Sequence, residues 1–112
     1  MNITHRIEKD TCIFKFEDSF ATEMVDQIRQ YVDPFVKNNK IFNFIFNFKN
    51  VDHVDSTGIG VILELHETLQ ERQAQLIFCE INDYINDIFD VTNIDTLVTI
   101  RATEEEALSK LN

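Results

Sequence analysis

Glycine is almost missing from this chain: of 112 residues two are Gly, one is Pro, two are Cys and none is Trp. The two cysteines, Cys12 and Cys79, each sit inside an apolar run that reads as a strand. Neither has a metal-like spacing, so buried free thiols are expected rather than a disulfide framework or a zinc site. Positive charge is also scarce. Ten Lys and Arg stand against twenty Asp and Glu, a formal net charge of -10. Such a field repels phosphate backbones and anionic headgroups, which argues against nucleic acid and membrane surfaces as partners. No apolar run of about 18 residues and no basic-then-apolar leader is present, so a cytoplasmic location is expected. His5, His53 and His66 are not spaced as metal ligands, and no cofactor motif stands out.

What is abundant is core material. Apolar residues make up 44% of the chain, ten of them Phe, with no low-complexity tract. A chain of this length fits one domain over residues 1–112, able to bury roughly two-thirds of its unfolded surface.

Residues 2–8 and 11–16 are β-rich runs separated by Lys9-Asp10 and read as a hairpin. Ala21, Met24, Val25, Ile28, Tyr31, Val32 and Phe35 recur at helical spacing, with Asp18 or Ser19 as the cap and Pro34 ending or kinking the helix. "IFNFIFNF", 41–48, alternates as a strand. Phe42, Phe44, Phe46 and Phe48 face one side and Ile41, Asn43, Ile45 and Asn47 the other, so helices are expected on the Phe side and a more exposed surface opposite. A loop over 49–54 leads to a second helix from Ser56 to about Arg72. "AQLIFCE", 74–80, reads as a strand, followed by a short helix capped by Asn82 or Asp83. "TLVTI", 96–100, reads as the last strand, and the acids after Thr103 open a closing helix. The order ββαβαβαβα predicts an α/β fold with a mixed, mainly parallel sheet opened by an antiparallel hairpin, and about four helices packed mainly on one face.

Both glycines fall in "DSTGIG", 55–60, directly after the central strand. Gly58 and Gly60 each cost a helix roughly 1 kcal/mol against Ala. Either the turn packs tightly on its own sheet or another surface comes close to the bared backbone. Ser56 stands at the start of the helix, at the carboxyl end of a central strand, where open α/β sheets place functional sites. A nucleophile elbow is disfavoured, because Val54 stands where its first glycine belongs, His53 is too near in sequence and His66 is about three turns away. A phosphate-cradling loop would need more glycine and a Lys. No catalytic residue is assigned. A phosphate on Ser56 suits the position better: a helix amino terminus welcomes the anion, whereas an acidic protein contact over Asp52 and Asp55 does not.

Val54-Asp55-Ser56-Thr57-Gly58-Ile59-Gly60, preceded by Phe46-Asn47-Phe48 and followed by an apolar helix, closely resembles the STAS domain of bacterial anti-sigma factor antagonists. The resemblance runs over essentially the whole chain, including the hairpin, Asp18 and the acidic "TEEEAL" ending. It implies a STAS-like fold and a non-enzymatic protein that binds an anti-sigma factor doubling as a serine protein kinase. It further implies that Ser56 is phosphorylated by that kinase, which abolishes binding, and dephosphorylated by a PP2C-type phosphatase. Asp55, Ser56, Thr57, Gly58, Ile59 and Gly60 then form the contact turn, with Asp18 in a neighbouring loop. Here Phe16-Glu17-Asp18 stands where the family commonly carries a glycine before the first helix. A monomer when free is expected. The alternative is a STAS accessory subunit of a transport or signalling assembly.

Overall fold

The computed structural model describes residues 3–111. β1 (Ile3–Glu8) and β2 (Thr11–Phe20) form the antiparallel hairpin. They are followed by α1 (Val25–Val36), β3 (Asn43–Val54), α2 (Ser56–Glu71), β4 (Gln75–Cys79), α3 (Asp83–Val91), a 3-10 turn (Ile94–Thr96), β5 (Thr99–Arg101) and α4 (Glu104–Ser109). The five strands lie side by side in chain order, antiparallel at β1/β2 and parallel from β2 to β5. The expected α/β fold with its opening hairpin is therefore observed. The hairpin turn manages without glycine because Lys9 itself takes a left-handed φ of 58°.

The sheet separates two cores. On one face Cys12, Phe14 and Phe16 of β2, Phe44, Phe46 and Phe48 of β3, and Leu76 and Phe78 of β4 meet the inner stripes of α1, α2 and α3. On the other, Ile13, Ile45, Ile77 and Cys79 are covered by Ala107 of α4, with Leu108 and Leu111 at the margin. The period-2 alternation of the strands generates both layers at once. The face expected to be more exposed is thus closed at its centre, because a short closing helix with one small buried residue suffices to lid four apolar side chains. Eight of the ten phenylalanines are fully buried, so they serve packing rather than base stacking. Cys12 and Cys79 are free and buried, as the apolar runs around them predict, and they lie on opposite faces of the sheet.

Several boundaries differ from the sequence reading. β2 continues to Phe20, so Asp18 and Ser19 are strand residues and not the α1 cap. Instead α1 starts at Val25 behind Met24, which supplies no side-chain cap. Pro34 neither ends α1 nor marks its last residue, since the helix runs on to Val36. Ile41 and Phe42 precede β3, and their roles are exchanged: Ile41 is buried with the Phe core while Phe42 is 43% exposed. The loop expected over 49–54 is strand, with Val51 and Val54 buried at its inward positions. The last strand is shifted to Thr99–Arg101 because Ile94–Thr96 wind into the 3-10 turn. By contrast, Asn82 caps α3 and Thr103 caps α4 through their side-chain oxygens, as capping preferences predict.

Arg72 closes the far end of α1 and α2. Its guanidinium donates to the carbonyls of Val36, Asn38 and Ile41 at 3.0, 3.3 and 2.6 Å and lies over the rings of Phe42 and Phe44. Three carbonyls at a helix end and the following turn are satisfied by one planar fork, which also partly covers the exposed Phe42.

Candidate functional site

β3 hands directly over to α2 with Asp55 as the only residue between them. Asp55 is extended and its Oδ1 accepts from the Gly58 amide at 2.9 Å, the N-cap arrangement that satisfies an otherwise orphaned donor. Its other oxygen is equally engaged. Oδ2 accepts from the Thr22 amide at 2.9 Å and the Thr22 hydroxyl at 2.7 Å, and Thr22 Oγ1 lies 3.0 Å from Thr57 Oγ1. The Thr22 hydroxyl, with the Gly58 and Thr22 amides behind it, holds the Asp55 carboxyl down at about 2. Asp55 thus joins the β2–α1 turn to the amino terminus of α2.

The two glycines solve different problems. A Cβ on Gly58 would stand 1.8 Å from the carbonyl oxygen of Phe20, so this glycine lets the first turn of α2 press against the end of β2. Around Gly60 a Cβ would meet nothing within 4 Å, and the position is exposed. Tight packing explains the first glycine and leaves the second without an internal reason.

Ser56 is the first residue of α2 and is exposed; its hydroxyl makes no hydrogen bond with the described residues. Thr57 is exposed and tied to Thr22, while Ile59 is half-buried against the Phe core. Asp18 reaches the same edge along β2, where it pairs with Val51 beside a register shift. Its φ of 72° lies in the left-handed region, the conformation for which glycine is best suited and which Asp tolerates better than most residues. The structure therefore gathers Asp55, Ser56, Thr57 and Gly60 at the carboxyl end of β3, with Gly58 beneath them, and sets Asp18 on β2 two residues before that strand ends. Phosphate at this spot would meet the positive dipole end of a helix with no acidic residue in its own first turn.

Thr22 is the residue that sequence reasoning missed. Its only advance signal is a hydroxyl between a strand and a helix, because the carboxylate it holds lies 33 positions along the chain. Histidine adds nothing to Ser56: His53 is exposed on β3, His66 lies roughly 15 Å along the helix, and His5 bonds the Tyr31 hydroxyl at 2.7 Å. Among the described residues no group of His, Cys, Asp and Glu is arranged to hold a metal ion, and no helix is long and apolar enough to cross a membrane.

This arrangement can be set beside known proteins. Residues 2–107 match the family model of the STAS domain. The chain is 23% identical over 86 residues to the anti-sigma F factor antagonist of Paenibacillus polymyxa, covering 77% of this chain and 74% of that protein. Its fold matches that of the Bacillus cell fate determinant SpoIIAA in the phosphorylated form with a TM-score of 0.78 at 20% identity, over 99% of this chain and 100% of the other. An anti-sigma factor antagonist from Mycobacterium paratuberculosis superposes with a TM-score of 0.86 at 11% identity, over 96% and 91% of the two chains. The chain belongs to the STAS domain family and, within it, is similar to anti-sigma factor antagonists.

Proposed function

We propose that this protein is a phosphorylation-switched binding protein and not an enzyme. Unphosphorylated, it binds an anti-sigma factor that is also a serine protein kinase, through Ser56, Thr57, Ile59 and Gly60 with Asp18 at the margin. Asp55 and Gly58 serve the same surface from behind, one by pinning the turn and the other by letting it sit against β2. Phosphorylation of Ser56 ends the contact, and a PP2C-type phosphatase restores it. The setting is the cytoplasm, with the free protein a monomer.

One observation carries this reading: the Ser56 hydroxyl is exposed at the first position of α2, beside the fully engaged carboxylate of Asp55. The helix terminus accepts a dianion of about -1.5 to -2 charges without refolding. A partner seated over the same turn would bury that dianion beside Asp55, a desolvation cost that stands unless the partner brings a compensating cation.

The test is a pull-down of the partner kinase followed by titration calorimetry and intact-mass measurement. Wild type and Ser56→Ala should bind alike, Ser56→Asp should bind at least about tenfold more weakly, and only wild type should gain a phosphate. Equal affinity of Ser56→Asp and wild type, or phosphate on Ser56→Ala, would overturn the proposal.

A further inference from the structure

The outer face of α3 is built differently from the rest of the surface. Ile85 and Phe89 are fully buried and anchor the helix, so docking α3 on the sheet does not require Tyr84 or Val91. Yet Tyr84 is 54% and Val91 81% exposed, and Leu97, just past the 3-10 turn, is 47% exposed. Tyr84, Ile88 and Val91 follow one another at i, i+4 and i+7, which places them on one stripe of the helix. Three of the six large exposed apolar side chains among the described residues thus fall within one short segment. Of the other three, Phe42 already carries the Arg72 guanidinium over its ring.

The same segment is charged with one sign. Asp83, Asp87 and Asp90 repeat the i, i+4, i+7 spacing one residue ahead of the apolar stripe, and Asp95 follows. From Gln73 to Ile100 there is no Lys or Arg. None of these aspartates takes part in an ion pair among the described residues. An apolar stripe with Tyr84 and Val91 exposed and Ile88 half-buried between them, beside a parallel row of unneutralised carboxylates, is complementary to a surface of the opposite make: apolar anchors flanked by Lys or Arg.

We infer that the α3 face bearing Tyr84, Ile88 and Val91 beside Asp87 and Asp90 is a second protein-contact surface, which takes a basic amphipathic helix of a partner. A second copy of this chain does not suit it, because it would set the same aspartates against one another across the contact. An anionic bilayer is repelled for the same reason. The inference goes beyond the Ser56 switch and does not depend on it. The amino end of α3 opens on the same sheet edge as α2, with Asn82 reaching the Val51 carbonyl at 3.4 Å. From there the stripe runs away from Ser56 along the body of α3, so a partner held there stays bound in either state of Ser56.

The probe is a helical peptide of alternating Leu and Lys faces, with a matched Leu and Glu peptide as control, titrated into the isotope-labelled full chain and followed residue by residue by NMR. Saturating shifts at Tyr84, Asp87, Ile88 and Val91 are expected with the Lys peptide and none with the Glu peptide. Tyr84→Ala with Val91→Ser should weaken binding at least about tenfold, and Asp87→Lys with Asp90→Lys should reverse the preference between the peptides. All four substitutions are at exposed positions, so the fold is retained. Ser56→Asp should leave both titrations unchanged, which separates this surface from the switch. Shifts mapping to another face, equal binding of the two peptides, or concentration-dependent self-association through α3 would each overturn the inference.

Discussion

Thr22 gives two hydrogen bonds to a single oxygen of Asp55, from its amide at 2.9 Å and its hydroxyl at 2.7 Å. The β2–α1 turn is thereby locked to the start of α2, and the carboxylate beside Ser56 has neither oxygen to spare. Asp55 cannot serve Ser56 as a general base without abandoning Thr22 or its own cap. The geometry favours a serine that receives a group over one that attacks.

This lock has a pH signature. The Asp55 carboxyl sits at about 2, below the roughly 3.9 of an unfolded chain. Its folded value is depressed, so its contribution to stability is fully present above about pH 4 and is lost as the pH falls toward 2. Thr22→Val should raise the Asp55 value toward the ordinary one, read from its carboxyl carbon in an NMR titration. Asp55→Asn should flatten the corresponding part of the acid-stability curve measured by urea denaturation.

Opposite outcomes are expected at the two glycines. Gly58→Ala drives a methyl into the Phe20 carbonyl and should cost at least about 1–3 kcal/mol of unfolding free energy. Gly60→Ala meets open space and should stabilise α2 by about 0.5–1 kcal/mol. Gly60→Ala should also weaken partner binding through the proposed contact while the protein itself becomes more stable. Denaturation curves and calorimetry on the two variants decide both points.

Charge at position 56 should be nearly neutral to the fold. An added carboxylate there gains about 0.3–1 kcal/mol from the helix terminus and loses a similar amount to Asp55 nearby. Ser56→Asp is therefore expected within about 0.5 kcal/mol of wild type in urea denaturation.

Arg72→Ala should destabilise by about 2–3 kcal/mol, because it leaves the Val36, Asn38 and Ile41 carbonyls without their charged donor. Arg72→Lys should recover little, since an ammonium cannot span three carbonyls while staying over the Phe42 and Phe44 rings. Thermal denaturation of both variants checks this ranking.

The thiols of Cys12 and Cys79 should be silent in the native state. Burial pushes both up to about 12; for Cys79 the nearby Glu104 and Glu80 add to it. At pH 8 a thiol reagent should label neither residue faster than the protein unfolds, followed by absorbance of the released chromophore.

The amino acid pattern was most informative where a signal is local. The alternation in 43–48 sorts Phe44 and Phe46 from Ile45, and the side chains of Asn82 and Thr103 announce helix starts that the structure bears out. It misled where a tertiary contact competes with local preference. Ser19 and Asp18 have good capping chemistry, but pairing with β3 keeps both within β2 and moves the start of α1 to Val25. Residues 49–54 look like a loop by composition, yet hydrogen bonding to β2 and burial of Val51 and Val54 hold them as strand.

From the sequence alone followed the succession of strands and helices, a crossover-connected sheet, and a serine at the head of an apolar-striped helix, because hydrophobic period and end signals act within a few residues. Folding alone decided that Gly58 is pressed on Phe20 while Gly60 looks outward, and that Asp55 is held by Thr22. Those distinctions depend on atoms brought within van der Waals or hydrogen-bonding reach from segments tens of positions apart, and only the folded chain specifies such approaches.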